Sequence, residues 1–205
     1  MGVQERRARE KKELRQEILD AARDLFVHEG YENVSMRKIA DKIEYSPTTI
    51  YLYFQDKADL LDCICEETMS RLVRKQTVLE QTVEDPLERL RRGLRAYIEF
   101  GLKHPNHYKV TFMMLQPVAE NANCRSRDMG KQAFNHLRTT LALCVERHFL
   151  EVADIEVSAQ ALWAVIHGVT SLLITHTKFP WADRERLIET VIENAIAGMR
   201  SPVPV

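Results

Sequence analysis

The stretch from Ser35 to Leu61, SMRKIADKIEYSPTTIYLYFQDKADLL, leaves this chain few folds to choose from. Met36, Ile39, Ala40 and Ile43 fall at i, i+3, i+4 and i+7, one apolar stripe along a helix. Ser35 stands where a cap accepts from the first N–H groups. Glu44-Tyr45-Ser46 allows only a tight connection, after which Ser46 and Pro47 read as cap and first helical residue. Proline there forfeits no hydrogen bond, and its fixed φ suits a helix start. The helix that follows crowds Thr48, Thr49, Tyr51, Leu52 and Tyr53 into barely two turns. It is too short and too β-branched to stand alone, so its neighbours must hold it. Two such helices at a steep angle, the second carrying exposed hydroxyls, form a helix-turn-helix.

The rest of the chain reads as helices arranged around that pair. Leu14, Ile18, Ala21 or Ala22, and Leu25 predict an amphipathic helix from Lys12 to His28, closed by Gly30. Before it lies a basic leader in which Arg6, Arg7, Arg9, Lys11, Lys12 and Arg15 outnumber Glu5, Glu10 and Glu13. It reads equally as a solvated, disordered leader or as an arm that contacts DNA. Asp56 caps a fourth helix that runs to about Val78, and Pro86 starts a fifth that ends at His104-Pro105. Tyr108, Phe112, Met113 and Leu115 predict a short helix stopped at Gln116-Pro117, and 118–127 a surface loop. Further helices are expected over 128–150, over 157–177, and from a cap at Asp183 onward. The fold class is therefore all-α: an N-terminal three-helix helix-turn-helix domain, 1–55, joined to a C-terminal helical domain, 56–205, for ligand binding and dimerisation.

Composition narrows the function. A net charge of −1 argues against strong, indiscriminate binding to DNA, so local charge matters more. No apolar run reaches the ~18 residues of a membrane span, and the charged start is no signal peptide, so a cytoplasmic protein without membrane partners is expected. Cys63, Cys65, Cys124 and Cys144 lack metal-ligand spacing and read as reduced, buried thiols. His104 and His107 are close in sequence, but no carboxylate or cysteine set completes a metal site. No nucleophile motif or phosphate loop appears, so neither an enzyme nor a cofactor is expected.

The segment Ile18 to Leu61 resembles the amino-terminal domain of the tetracycline-repressor (TetR) family of bacterial transcription regulators. The residues that carry the likeness are Ala22, Phe26, Gly30, Tyr31, Ser35, Ile39, Ala40, Ser46, Thr49, Ile50, Tyr51, Tyr53, Phe54, Lys57 and Leu60. It departs at Glu44, where the family often has glycine in the turn, and at Pro47 and Thr48, where lysine or glycine is frequent. The resemblance implies binding to a double-stranded DNA operator, with repression as the default. By position it assigns Arg37 to the start of the second helix, Pro47 and Thr48 to base edges, and Ser46, Thr49, Tyr51, Tyr53 and Lys57 to phosphates. Hydroxyls and helix-start N–H groups donate to phosphate oxygens, and proline and the threonine methyl can pack on thymine methyls. Ile50 and Phe54 should point inward.

In the C-terminal half, Tyr97, Phe100, His104, Tyr108, Phe112, Phe134, Trp163 and His167 could line a cavity between helices, where a small hydrophobic ligand would bind, while their helical spacing reads equally as core with or without a ligand. Trp163 to Gly168 resembles the tryptophan-histidine-glycine (WHG) signature of one branch of the family. The last two helices are apolar on unusually wide faces. Val165, Val169, Leu172, Leu173, Leu187, Val191, Ile192 and Ala195 predict a four-helix interface with a second copy, hence a homodimer. Its two recognition helices would enter successive major grooves, making the operator a palindrome. One rival is a dimeric DNA-binding regulator without small-molecule control. Another is a helical ligand carrier or enzyme with a vestigial helix-turn-helix.

Overall fold

Residues 2–114 and 125–199 are described in the computed structural model. They form α1 (Val3–Glu29), α2 (Met36–Lys42), α3 (Pro47–Tyr51), α4 (Lys57–Thr82), α5 (Pro86–Lys103), α6 (Pro105–Tyr108), a π-helical turn (Lys109–Met113), α7 (Arg125–Glu146), α8 (Ile155–Thr175) and α9 (Arg184–Ala197). No strand occurs among the described residues, so the all-α expectation holds. Leu115, Gln116, Pro117, residues 118–124 and Cys124 lie outside them. The chain divides into two units, Met1–Thr68 with Asn106–Arg127, and Met69–Pro105 with Asp128–Val205. The sequence-based boundary at residue 55 falls earlier, where the helix-turn-helix ends.

The first unit is built on the apolar stripe of α1. Ile18, Leu19, Ala22 and Phe26 are fully buried against Ile39 and Ala40 of α2, Ile50 of α3, Phe54, and Leu60 and Ile64 of α4. Ser35 caps α2 by accepting from the Lys38 N–H at 3.2 Å, and Ser46 caps α3 by accepting from the Thr49 N–H at the same distance. Asp56 caps α4 through the Asp59 N–H at 2.8 Å. Between α2 and α3, Glu44 takes a left-handed φ of 60°, which explains why glycine suits this turn. Val110 returns to this core and is fully buried in it. That return is why 106–127 belongs here rather than with the helices flanking it in sequence. His107 secures it: Arg23 donates to His107 Nε2 at 2.8 Å, and His107 Nδ1 lies 3.2 Å from Thr68 Oγ1.

Two boundaries differ from expectation in this unit. α1 begins at Val3, not Lys12, because Arg6 pairs with Glu10 and Arg9 with Glu13 at i,i+4, a spacing that supports a helix. The leader is therefore helical rather than disordered. α7 begins at Arg125, not Asp128, because the Asp62 carboxylate accepts from the Arg125 and Ser126 N–H groups at 3.3 and 3.1 Å and so caps it.

In the second unit α5 packs against α8 and α9. Leu90, Leu94, Tyr97 and Ile98 form the buried face of α5, and Asp85 caps that helix through the Leu87 N–H. Arg91 pairs with Glu193, and Arg95 with Glu185 at 2.8 Å, fixing α5 to α9 through partly solvated ion pairs. α4 meets α7 through Gln76, which donates to the Ala133 carbonyl at 3.2 Å, and through the Glu80–His136 pair.

α8 corrects the expectation that no segment could span a membrane. At 21 residues, with a mean hydropathy of 1.6 over its most apolar 18, it is long and apolar enough to cross a membrane by length and composition alone. Its buried side, Ala159, Leu162, Ile166, Val169, Thr170 and Leu173, packs as the core helix of a bundle, which passes the same test. The wide apolar face expected of this helix is only partly covered in the single chain: Trp163, Val165 and Leu172 are each more than 40% exposed.

Candidate nucleic-acid interface

α3 is short enough that its two sides are unambiguous. Ile50 and Phe54, one turn apart, are 0% and 2% exposed, pointing inward as their spacing requires. Thr48, Tyr51 and Leu52, at i, i+3 and i+4, form the opposite face, with Tyr51 54% and Leu52 75% exposed. Ser46 is exposed, and Pro47, Thr49 and Tyr53 are placed at the margin of this face. Ser46 Oγ and Thr49 Oγ1 lie 2.9 Å apart, so these hydroxyls are oriented by each other before any ligand arrives. On α2, Lys38 pairs with Glu29 and Lys42 with Asp24, whereas Arg37 is exposed and pairs with no acid among the described residues. Arg37 is thus the α2 cation without an acidic partner among the described residues.

Lys57 is placed differently from expectation. Its ammonium donates to the Tyr31 carbonyl at 2.7 Å and lies 4.1 Å from the centre of the Tyr31 ring. It therefore braces the end of α1 against the start of α4, and only its remaining N–H groups can serve a phosphate. Leu52 is the residue that sequence reasoning passed over. Its spacing of four from Thr48 was the signal that it shares the outward face.

The predicted ligand-lining residues fall into two groups. In the second unit the Trp163 indole N–H donates to the Tyr97 oxygen at 3.3 Å, and that oxygen lies 3.3 Å from His167 Nδ1. Phe134 meets Trp163 edge-on at 6.3 Å between ring centres, and Phe100 lies 5.3 Å from His104. Burial pushes the His167 pKa below its ordinary value, so this imidazole is uncharged near neutral pH. Tyr108 and Phe112 instead belong to the first unit, where their rings lie 4.8 Å apart and Tyr108 is fully buried. Tyr108 is core here rather than an open wall.

The predicted interface residues also divide. Val165 and Leu172 face outward, while Leu187, Val191 and Ala195 lie along α9 beside its buried stripe. Val169, Leu173 and Ile192 are buried within the unit, because an apolar stripe this wide serves both the bundle and an outer face. Of the cysteines, Cys63, Cys65 and Cys144 are buried, and burial pushes the Cys144 thiol up to about 11. No cluster of metal-ligating residues occurs among the described residues.

A short, capped helix that shows hydroxyls on one face and is held by a core on the other defines a helix-turn-helix DNA-binding protein. The chain belongs to the TetR family. The model described as "Bacterial regulatory proteins, tetR family" matches residues 18–64, and "Tetracyclin repressor-like, C-terminal domain" matches residues 90–195. Those descriptions name no WHG branch. The fatty acid metabolism regulator protein of Bacillus subtilis is 24% identical over 189 residues, 90% of this chain and 95% of that protein. The nucleoid occlusion factor SlmA of Vibrio vulnificus is 31% identical over 160 residues, 75% of this chain and 78% of that protein. The activator FasR of Mycolicibacterium smegmatis is 29% identical over 100 residues, 49% of this chain and only 46% of that protein. Among solved structures, the fatty acid degradation regulator FadR of Bacillus halodurans superposes with a TM-score of 0.77 at 23% identity, covering 92% of this chain and 97% of that one. FadR of Bacillus subtilis, solved with stearoyl-CoA, gives 0.71 at 20% identity, covering 92% and 99%. At these identities the structures establish the fold. The chain is a DNA-binding transcriptional regulator.

Proposed function

We propose that this chain is a cytoplasmic, homodimeric repressor that leaves a palindromic operator when a small hydrophobic ligand binds its second unit. The observation that carries the DNA-binding part is the outward face of α3. Thr48 and Tyr51 stand exposed there while Ile50 and Phe54 anchor the same helix to the core. In this reading Thr48 and Pro47 meet base edges, and Ser46, Thr49, Tyr51, Tyr53, Arg37 and the remaining Lys57 N–H groups meet phosphates. The exposed apolar residues Val165 and Leu172 take the twin subunit, with Leu187, Val191 and Ala195 beside them.

The cluster of Tyr97, Phe100, His104, Phe134, Trp163 and His167 supports an effector site, because it joins rings to a few convergent polar atoms. The relatives that regulate fatty acid metabolism, and the one solved with stearoyl-CoA, make long-chain acyl thioesters the first class to test. α4 and the His104-Pro105 junction carry the signal, since there the chain passes from one unit to the other. A ligand that prefers the wrong operator spacing then shifts the population off DNA.

One observation favours control without a ligand: Trp163, Tyr97 and His167 already bond one another. Thermal melts with a series of acyl-CoA esters and free fatty acids separate the two readings. A true effector at about a hundredfold its Kd stabilises by about 2.7 kcal/mol and releases operator in a mobility-shift assay. A flat response across the series removes the effector and leaves the DNA-binding dimer.

A further inference from the structure

The first turns of α1 have no packing reason to be where they are. α1 starts at Val3, and every residue from 2 to 13 is exposed; the first buried one is Ile18. At 1.5 Å per residue, Val3 to Glu13 is a rod about 16 Å long standing clear of its own core, which α1 first touches at Leu14. Between Val3 and Glu13 only Val3 and Ala8 are apolar, so the rod presents no seam to another helix.

Its charges are sorted by side. Glu5 accepts from the Gly2 N–H at 2.8 Å, Glu10 pairs with Arg6 at 3.5 Å, and Glu13 pairs with Arg9 at 3.7 Å. All three acids are thereby engaged. At about 100° per residue, Arg7, Lys11, Ala8 and Lys12 fall within an acid-free arc of roughly 140°. Arg7, Lys11 and Lys12 make no ion pair among the described residues, and Arg15, on the same arc, pairs with Glu67 at 3.5 Å. A chain with net charge −1 thus carries a purely cationic stripe in the unit that holds α3.

We propose that this stripe binds the phosphate backbone of the duplex flanking each operator half-site. The inference rests on the DNA-binding reading of α3 and extends it to a second contact surface. An anionic membrane surface fits less well, because an interfacial helix needs an apolar face that this segment lacks. The stripe meets phosphates only, so it adds affinity and salt dependence without sequence preference.

The test uses the full chain with Arg7→Ala, Lys11→Ala and Lys12→Ala combined, since alanine keeps the helix. The control is Arg6→Ala with Glu10→Ala, which leaves net charge unchanged. Affinity is measured across a salt series on the selected operator as a minimal duplex and with about ten further base pairs on each side, roughly one helical turn. Wild type and control gain affinity from the flanks. The triple variant forfeits that gain, on the order of tenfold, and its salt slope falls by about 0.9 for each phosphate it no longer neutralises. Its sequence preference stays unchanged. Equal slopes and equal flank gain for triple variant and wild type would overturn the stripe's role while leaving α3 intact. Absence of sequence preference in wild type, with no effect of Tyr51→Phe, overturns the DNA-binding reading itself.

Discussion

α3 and α8 are opposites. α3 has five residues, depends on its neighbours for every turn, and shows Thr48 and Tyr51 to the outside. α8 has 21, is apolar on nearly every side, and shows Val165 and Leu172. Exposed hydroxyls on a braced helix are satisfied by water until phosphate replaces it, at little cost to the free protein. Exposed leucine and valine on a core helix are stabilised only when something apolar covers them. One exposed face is thus suited to a polar, charged partner and the other to an apolar cover, which in the proposed dimer is a second copy of the chain.

The most severe way to break this comparison is to remove what braces α3. Phe54→Ala deletes a buried ring and should cost about 3–5 kcal/mol in denaturant unfolding, abolishing operator binding with it. Leu172→Glu should act on the other side of the contrast. It should leave the secondary structure unaltered but weaken dimerisation on the order of a hundredfold in sedimentation, with operator affinity falling in step. Tyr51→Phe removes one hydroxyl from an exposed ring and should weaken operator binding by about 1 kcal/mol, roughly fivefold, without moving Tm. Glu44→Gly sharpens the picture of the turn that sets α3: relieving its left-handed φ of 60° should stabilise the fold by about 1 kcal/mol.

The smallest effect concerns His167. Its folded pKa is depressed by burial, so the unfolded chain takes up the proton first. Stability should therefore be unaffected by this group above its ordinary pKa of about 6.5. Below that value stability should fall as pH drops toward the folded pKa. His167→Gln should flatten that acid limb of a Tm-against-pH profile.

The caps were legible in the sequence because they depend on one side chain and the next few N–H groups. Ser35, Ser46, Asp56 and Asp183 all cap the helices their positions imply. So was the inward pair Ile50 and Phe54. What was not legible depends on distant partners. A charge-rich leader reads as solvated, and its helical start at Val3 rests on weak i,i+4 pairs. Val110 joins the N-terminal core through tertiary packing that local periodicity does not encode. Lys57 reads as a phosphate ligand by position, yet its first partner is the Tyr31 carbonyl, 26 residues earlier. The wide stripe on α8 and α9 could not tell Val169, Leu173 and Ile192, which face the bundle, from Val165 and Leu172, which face outward.

The most direct measurement is selection of tight-binding sequences from random duplexes by the purified full chain, with the protomer-to-duplex ratio determined by sedimentation. The expected product is a two-fold palindrome whose half-sites are centred about 34 to 36 Å apart, or a multiple of that turn, bound by protomers in even number. Enrichment of an unsymmetrical single site, or of no sequence at all, would contradict a paired, α3-led reading of the duplex.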